Sequence, residues 1–161
     1  SWTKTPKAMP HPIPKNPISP WCYQHGRFLS PEKARLGDGW SWSEPSWKKL
    51  PGGKRGRFLG IPLLHSNEID SKATLEFDGT AIGAYVLAGP DAGTLEIRLD
   101  DEAPEKIDLF HHYSKRLHYP RTVMFAHELK QGRHRLELII SDQKNESSKG
   151  HAIRILEFCV N

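Results

Sequence analysis

Thr94-Leu95-Glu96-Ile97-Arg98-Leu99-Asp100 alternates apolar and polar residues without a break. Successive side chains of an extended chain point to opposite faces. A period of two therefore places Leu95, Ile97 and Leu99 on one buried side of a strand. The same pattern recurs on either side. Ala73–Asp78 sets Leu75 and Phe77 against Thr74, Glu76 and Asp78, and His134–Ser141 buries Leu136, Leu138 and Ile140. Further strands are predicted at Tyr23–Leu29, Phe58–His65, Ala81–Ala88, Lys106–Phe110, Thr122–Leu129 and His151–Val160. Turn residues separate them, as at Gly79-Thr80, Gly89-Pro90-Asp91-Ala92-Gly93 and Gln131-Gly132. Eight or nine short strands so spaced predict an antiparallel sandwich or jelly roll.

The 161 residues suit one domain with an extension. Thirteen Gly and thirteen Pro exclude a helical bundle, and no apolar run approaches the about 20 residues of a membrane helix. No charged-then-apolar leader opens the chain, so a signal peptide is expected to be absent or removed. Residues 1–20 hold Pro6, Pro10, Pro12, Pro14, Pro17 and Pro20. Proline fixes φ and lacks a donor, so this stretch is expected to be a linker or strap, with the sandwich domain spanning 21–161. Residues 1–60 carry eleven Lys/Arg against three Asp/Glu, and residues 61–161 carry twelve against sixteen. Such asymmetry can mark a partner of opposite charge, and the candidates are nucleic acid, an anionic polysaccharide or an acidic neighbouring domain.

All five Trp lie in residues 1–47, and Trp40, Trp42 and Trp47 cluster. Exposed indoles stack on the C–H face of a sugar; the alternative is that they cover a core where strands are scarce. Asp108–Thr122 is the densest polar stretch, and His111, Tyr113, His118, Tyr119 and Arg121 are its candidate binding residues. The chain is expected to bring the loops of Trp40 and Trp42 beside Tyr113–Arg121, where aromatic platform and donors would meet. The last strand carries apolar residues on both faces, at Ile153, Ile155, Leu156, Phe158 and Val160. Either the linker or a lost partner covers it, or it is a central strand with one ragged face.

Chemistry beyond binding has little support. His111, His112 and His118 lack zinc-ligand spacing. Asp100-Asp101-Glu102 offers carboxylates for a structural calcium, although a solvated turn explains it as well; no other cofactor is expected. No Gly-x-Ser-x-Gly nucleophile and no phosphate-binding loop occurs. Asn145-Glu146-Ser147 is a glycosylation sequon. Cys22 and Cys159 are either a disulfide between first and last strands or two buried thiols.

His25-Gly26-Arg27, Phe77-Asp78-Gly79-Thr80-Ala81-Ile82-Gly83, Gly89-Pro90-Asp91-Ala92-Gly93, Asp108-Leu109-Phe110, Leu117-His118-Tyr119-Pro120-Arg121 and Gly150-His151-Ala152-Ile153-Arg154-Ile155 occur in order over about 140 residues. Together they resemble the C-terminal domain of bacterial SGNH/GDSL-type hydrolases. The resemblance implies an all-β, galactose-binding-like sandwich with an irregular Pro/Trp-rich N-terminal extension. It further implies an accessory module of a secreted or periplasmic carbohydrate-active esterase, whose catalytic residues sit on a preceding α/β domain. The expected function is non-catalytic binding of polysaccharide or oligosaccharide through Trp40, Trp42, Trp47, His111, Tyr113, His118, Tyr119 and Arg121. The alternative is a subdomain that completes the hydrolase cleft and has little glycan affinity. The chain alone is not expected to be an enzyme. Neither a membrane nor nucleic acid is an expected partner, because the body is acidic and carries no nucleic-acid motif.

Overall fold

The computed structural model describes residues 12–161. Among them are eleven strands: β1 (Arg27–Leu29), β2 (Arg35–Leu36), β3 (Ser41–Ser43), β4 (Leu63–Ser66), β5 (Lys72–Gly79), β6 (Ile82–Ala88), β7 (Thr94–Leu99), β8 (Glu105–Asp108), β9 (Tyr119–Ala126), β10 (Gly132–Ile140) and β11 (Ile153–Val160). Helical structure in these residues is confined to short 3-10 turns. The first sheet runs β3-β4-β11-β6-β9, with β1 also on β11; the second runs β2-β5-β10-β7-β8. Every pairing between these strands is antiparallel. The expected all-β sandwich is thus what the chain forms.

The alternating strands account for the core. Leu75 and Phe77 of β5, Leu95, Ile97 and Leu99 of β7, and Leu136, Leu138 and Ile140 of β10 all point inward and are buried. They meet Ile82, Ala84 and Val86 of β6, Val123 and Phe125 of β9, and Ile153, Ile155, Phe158 and Val160 of β11. Burying each large side chain contributes about 1.5–3 kcal/mol.

At Leu156 the apolar outer face of β11 is covered by the chain itself. Residues 44–62 fold back over the first sheet, where Trp47 and Phe58 pack on Leu63, Leu87 and Leu156. A bulge between Ile155 and Glu157 interrupts the pairing with β6, which is why alternation breaks at Leu156. Trp47 and Phe58 thus cover Leu156 without the linker.

Boundaries moved where packing overrides propensity. The Phe58–His65 run divides into a 3-10 turn at Gly56–Phe58 and β4, and β9 starts early, at Tyr119. Ser30 caps the turn Pro31–Lys33 as its sequence predicts, its hydroxyl accepting from the Glu32 N–H. Residues 12–20 form no strand and are exposed; the rest of the linker expectation, with Trp2, lies outside the described residues. Cys22 and Cys159 are unbridged and half-buried.

The acidic turn after β7 gathers no cage for calcium. Asp100, at φ 51°, instead accepts from the Arg135 N–H at 2.8 Å and contacts His134 Nδ1 at 2.8 Å. Among the described residues no three ligating side chains converge on a metal site.

Candidate functional site: an aromatic crossover

The crossover from β8 to β9 carries the exposed chemistry. It is held from beneath by Ser114, which is fully buried and whose Oγ accepts from the His111 N–H at 3.2 Å. His111 Nδ1 in turn accepts from the Tyr113 N–H at 3.4 Å, so the two side chains close a capping box around the 3-10 turn His112–Lys115. The turn and the start of β9 set four rings side by side. His111 lies parallel to Tyr119, with centroids 5.0 Å apart and planes at 13°. His112 is 4.1 Å from His111 and 3.9 Å from Tyr113, and Tyr113 is 5.2 Å from Tyr119. Tyr113 is 56% exposed.

Arg121 follows on β9, opposite Val86 of β6, and its Nη1 donates to the Phe110 carbonyl at 3.5 Å. Partial burial, then His112 and Arg121, lower the His111 pKa, so its imidazole is neutral at pH 7. A neutral ring beside two phenols offers both donors and acceptors. His112 belongs to this cluster although it was not among the candidate residues; its place beside His111 and Tyr113 is the one signal in the sequence.

The other expected binding residues are placed differently. Trp40 is 6% exposed and part of the main core; Trp47 is 8% exposed and part of the outer cluster. Trp42 is half-buried on β3 and packs against the main core. Trp42 pairs with Leu64, Leu64 with Ile155, Ile155 with Val86, and Val86 with Arg121. Four strand spacings of about 4.8 Å separate Trp42 from Arg121, so the two stand on opposite edges of the first sheet. They do not form one platform.

The Trp-rich segment does reach the crossover, at another point. Gly53 pairs with Leu117: its N–H donates to the Arg116 carbonyl at 2.7 Å, and its carbonyl accepts from the His118 N–H at 2.9 Å. Trp47 meets the His118 ring edge-on, 5.2 Å between centroids.

His118, expected to touch a ligand, is 1% exposed. Its Nε2–H donates to the Pro51 carbonyl at 3.0 Å, and Nδ1 has no partner among the described residues. Burial, then the Arg154 charge, pushes its pKa down to about 4. The unfolded chain, with an ordinary His pKa near 6.5, therefore binds the extra proton first. Stability from this group is full above about pH 6.5, falls progressively below it, and is gone once pH has fallen through about 4. The total is about 3 kcal/mol by linkage. Urea unfolding at pH 7 and pH 4.5 should show this loss, reduced in His118→Gln; an equal pH dependence in both proteins would contradict it.

Several segments that carry the family resemblance converge around His118. Arg154 donates to both Asp91 oxygens, at 2.9 and 2.7 Å, and both side chains are largely buried. Burial pushes the Asp91 carboxyl up, but the bonds and charge of Arg154 outweigh it and hold the pKa below its ordinary value. A Cβ on Gly89 would lie 2.5 Å from the His118 ring and 2.8 Å from Asp91, so only glycine lets the loop pass. Ala152 N–H closes the loop by donating to the Asp91 carbonyl at 2.8 Å. At the opposite end, Asn161 donates to Thr80 Oγ1 at 2.9 Å and accepts from the His25 N–H at 3.2 Å. These segments are framework; the exposed rings stand on top of it.

Neither a family model nor a curated protein matches the chain. Solved structures do. A two-domain esterase active on acetylated mannans, co-crystallised with mannopentaose, superposes with a TM-score of 0.64 at 12% identity over 92% of this chain. A family two carbohydrate esterase from Cellvibrio japonicus gives 0.51 at 14% identity over 84% of this chain. A GH26-CBM35 β-(1,4)-mannanase from Podospora anserina gives 0.53 at 12% identity over 84%. The chain covers 39%, 32% and 27% of these three, so it matches a part of each. At such identities the likeness is one of fold: a β-sandwich found within larger carbohydrate-active enzymes.

Proposed function

We propose that this chain is a non-catalytic carbohydrate-binding module that serves an SGNH/GDSL-type esterase domain in a secreted or periplasmic protein. The observation that carries the reading is the ring cluster of exposed His112 and Tyr113 with half-buried His111 and Tyr119, and Arg121 beside it. Aromatic faces take the apolar side of a pyranose, and the guanidinium and imidazole nitrogens take its hydroxyls. The fold supports the reading, since one structural neighbour was crystallised with mannopentaose.

A glycan array that includes mannopentaose tests it. Tyr113→Ala and Arg121→Ala should each weaken binding several-fold or more, because removing a stacking ring commonly costs about 1–3 kcal/mol in the analogous case of bases. The melting temperature of Tyr113→Ala should stay unchanged, as the ring is mostly exposed. Normal binding by both folded variants would remove the crossover from the account.

One observation favours a second reading, that the chain completes the cleft of a neighbouring catalytic domain. Phe28, Cys159, Gly83 and Met124 form a row across β1, β11, β6 and β9, beside Tyr23. Phe28 is 69% exposed there. This apolar groove of about 290 Å³ offers a docking surface. Under this reading the isolated chain binds no glycan on the array.

A further inference from the structure

The outer face of the second sheet holds a groove of about 580 Å³ lined by Lys33, Arg35, Thr74, Glu76, Asp78, Arg133 and Arg135. Cross-strand register builds it: Arg35 lies opposite Thr74, Arg135 opposite Glu76, and Arg133 opposite Asp78. On a solvated sheet face such charges normally pair off, and some do. Arg133 is paired with Glu76, and Arg98, nearby, lies 4.0 Å from Glu96 and 3.8 Å from Glu137. Lys33, Arg35 and Arg135 have no carboxylate within ion-pair distance among the described residues. All three are exposed.

We propose that this groove binds an acidic polysaccharide, with Arg35, Arg135 and Lys33 taking its carboxylates. Guanidinium forks match carboxylates in a planar, two-bond geometry. Glu76, Asp78 and Thr74 suit the same ligand, because a polyuronate spaces its carboxylates and sets hydroxyl donors between them. Nucleic acid fits less well. Its duplex carries a charge every 1.7 Å or so, which Glu76 and Asp78 would repel. No aromatic side chain lines the groove, so bases find no stacking platform. Arg133, then Arg35 and Arg135, lower the Glu76 pKa, so its carboxylate stays ionised as an acceptor.

This site lies on a different sheet from the ring cluster and does not depend on it. Native gel electrophoresis through polygalacturonate, through neutral glucomannan and with duplex DNA tests it. The expected result is retardation in polygalacturonate that weakens with salt and falls tenfold or more in Arg35→Glu/Arg135→Glu. Arg35→Gln/Arg135→Gln should show an intermediate loss. Lys48→Glu/Lys49→Glu, an equal charge change elsewhere on the surface, should leave retardation unchanged, and so should Tyr113→Ala. Circular dichroism checks that each variant is folded. Three results would overturn the proposal: no retardation of the parent chain, equal loss in both charge reversals, or tighter binding of DNA at the same arginines. Failure of the ring cluster alone, seen with Tyr113→Ala on neutral glycans, leaves this result untouched.

Discussion

Asp91→Ala should lower the unfolding free energy by about 3–5 kcal/mol, the usual loss when one partner of a buried ion pair is removed. The size follows from what is left behind. Arg154 is 4% exposed, and both of its terminal nitrogens donate to Asp91. Without the carboxylate a guanidinium remains buried with no counter-charge. The damage should extend beyond the pair, because the Asp91 backbone also joins the Gly89–Gly93 loop to Ala152. The double variant Asp91→Leu/Arg154→Met should lose less than Asp91→Ala, since it leaves no charge behind. Urea denaturation of the three proteins at pH 7 measures this. A single variant as stable as the parent would mean that the pair is solvated.

Leu138→Ala should cost about 2–5 kcal/mol, the range for truncating a buried leucine where the cavity cannot collapse. Leu138 is fully buried at the centre of the second sheet, between Ala73 of β5 and Ile97 of β7. Backbone pairing on both sides holds the walls apart, which favours the upper part of the range. Equilibrium unfolding measures the change directly. A loss below about 1 kcal/mol would indicate a core that repacks freely.

Both residues show what the sequence could and could not disclose. Leu138 was legible because period-2 alternation depends on the strand alone. The eight core positions read from β5, β7 and β10 are all inside for that reason. β2 and β3 were not legible. Each has three residues or fewer, and each exists because β5 or β4 offers an edge to pair with. Trp40 and Trp47 read as either surface or core, and long-range packing decided for core. The separation of Trp42 from Arg121 depends on strand order, which no local pattern encodes. His118 looked like a loop ligand because its neighbours are polar; the fold places Gly89, Pro51 and Trp47 around it. Of the eight candidate binding residues, His111, Tyr113, Tyr119 and Arg121 are the ones the fold brings together, and the proposed site rests on that grouping. Their closeness in sequence, within residues 111–121, was the informative feature.

A nuclear magnetic resonance titration of the folded chain, with the oligosaccharide that binds best on the array, tests the central claim most directly. The predicted result is that backbone amides of residues 111–119 and 121 shift in a saturable way, those at Trp42 do not, and Tyr113→Ala raises the concentration needed for saturation several-fold or more. Saturable shifts confined to another surface, or none with any glycan, would contradict it.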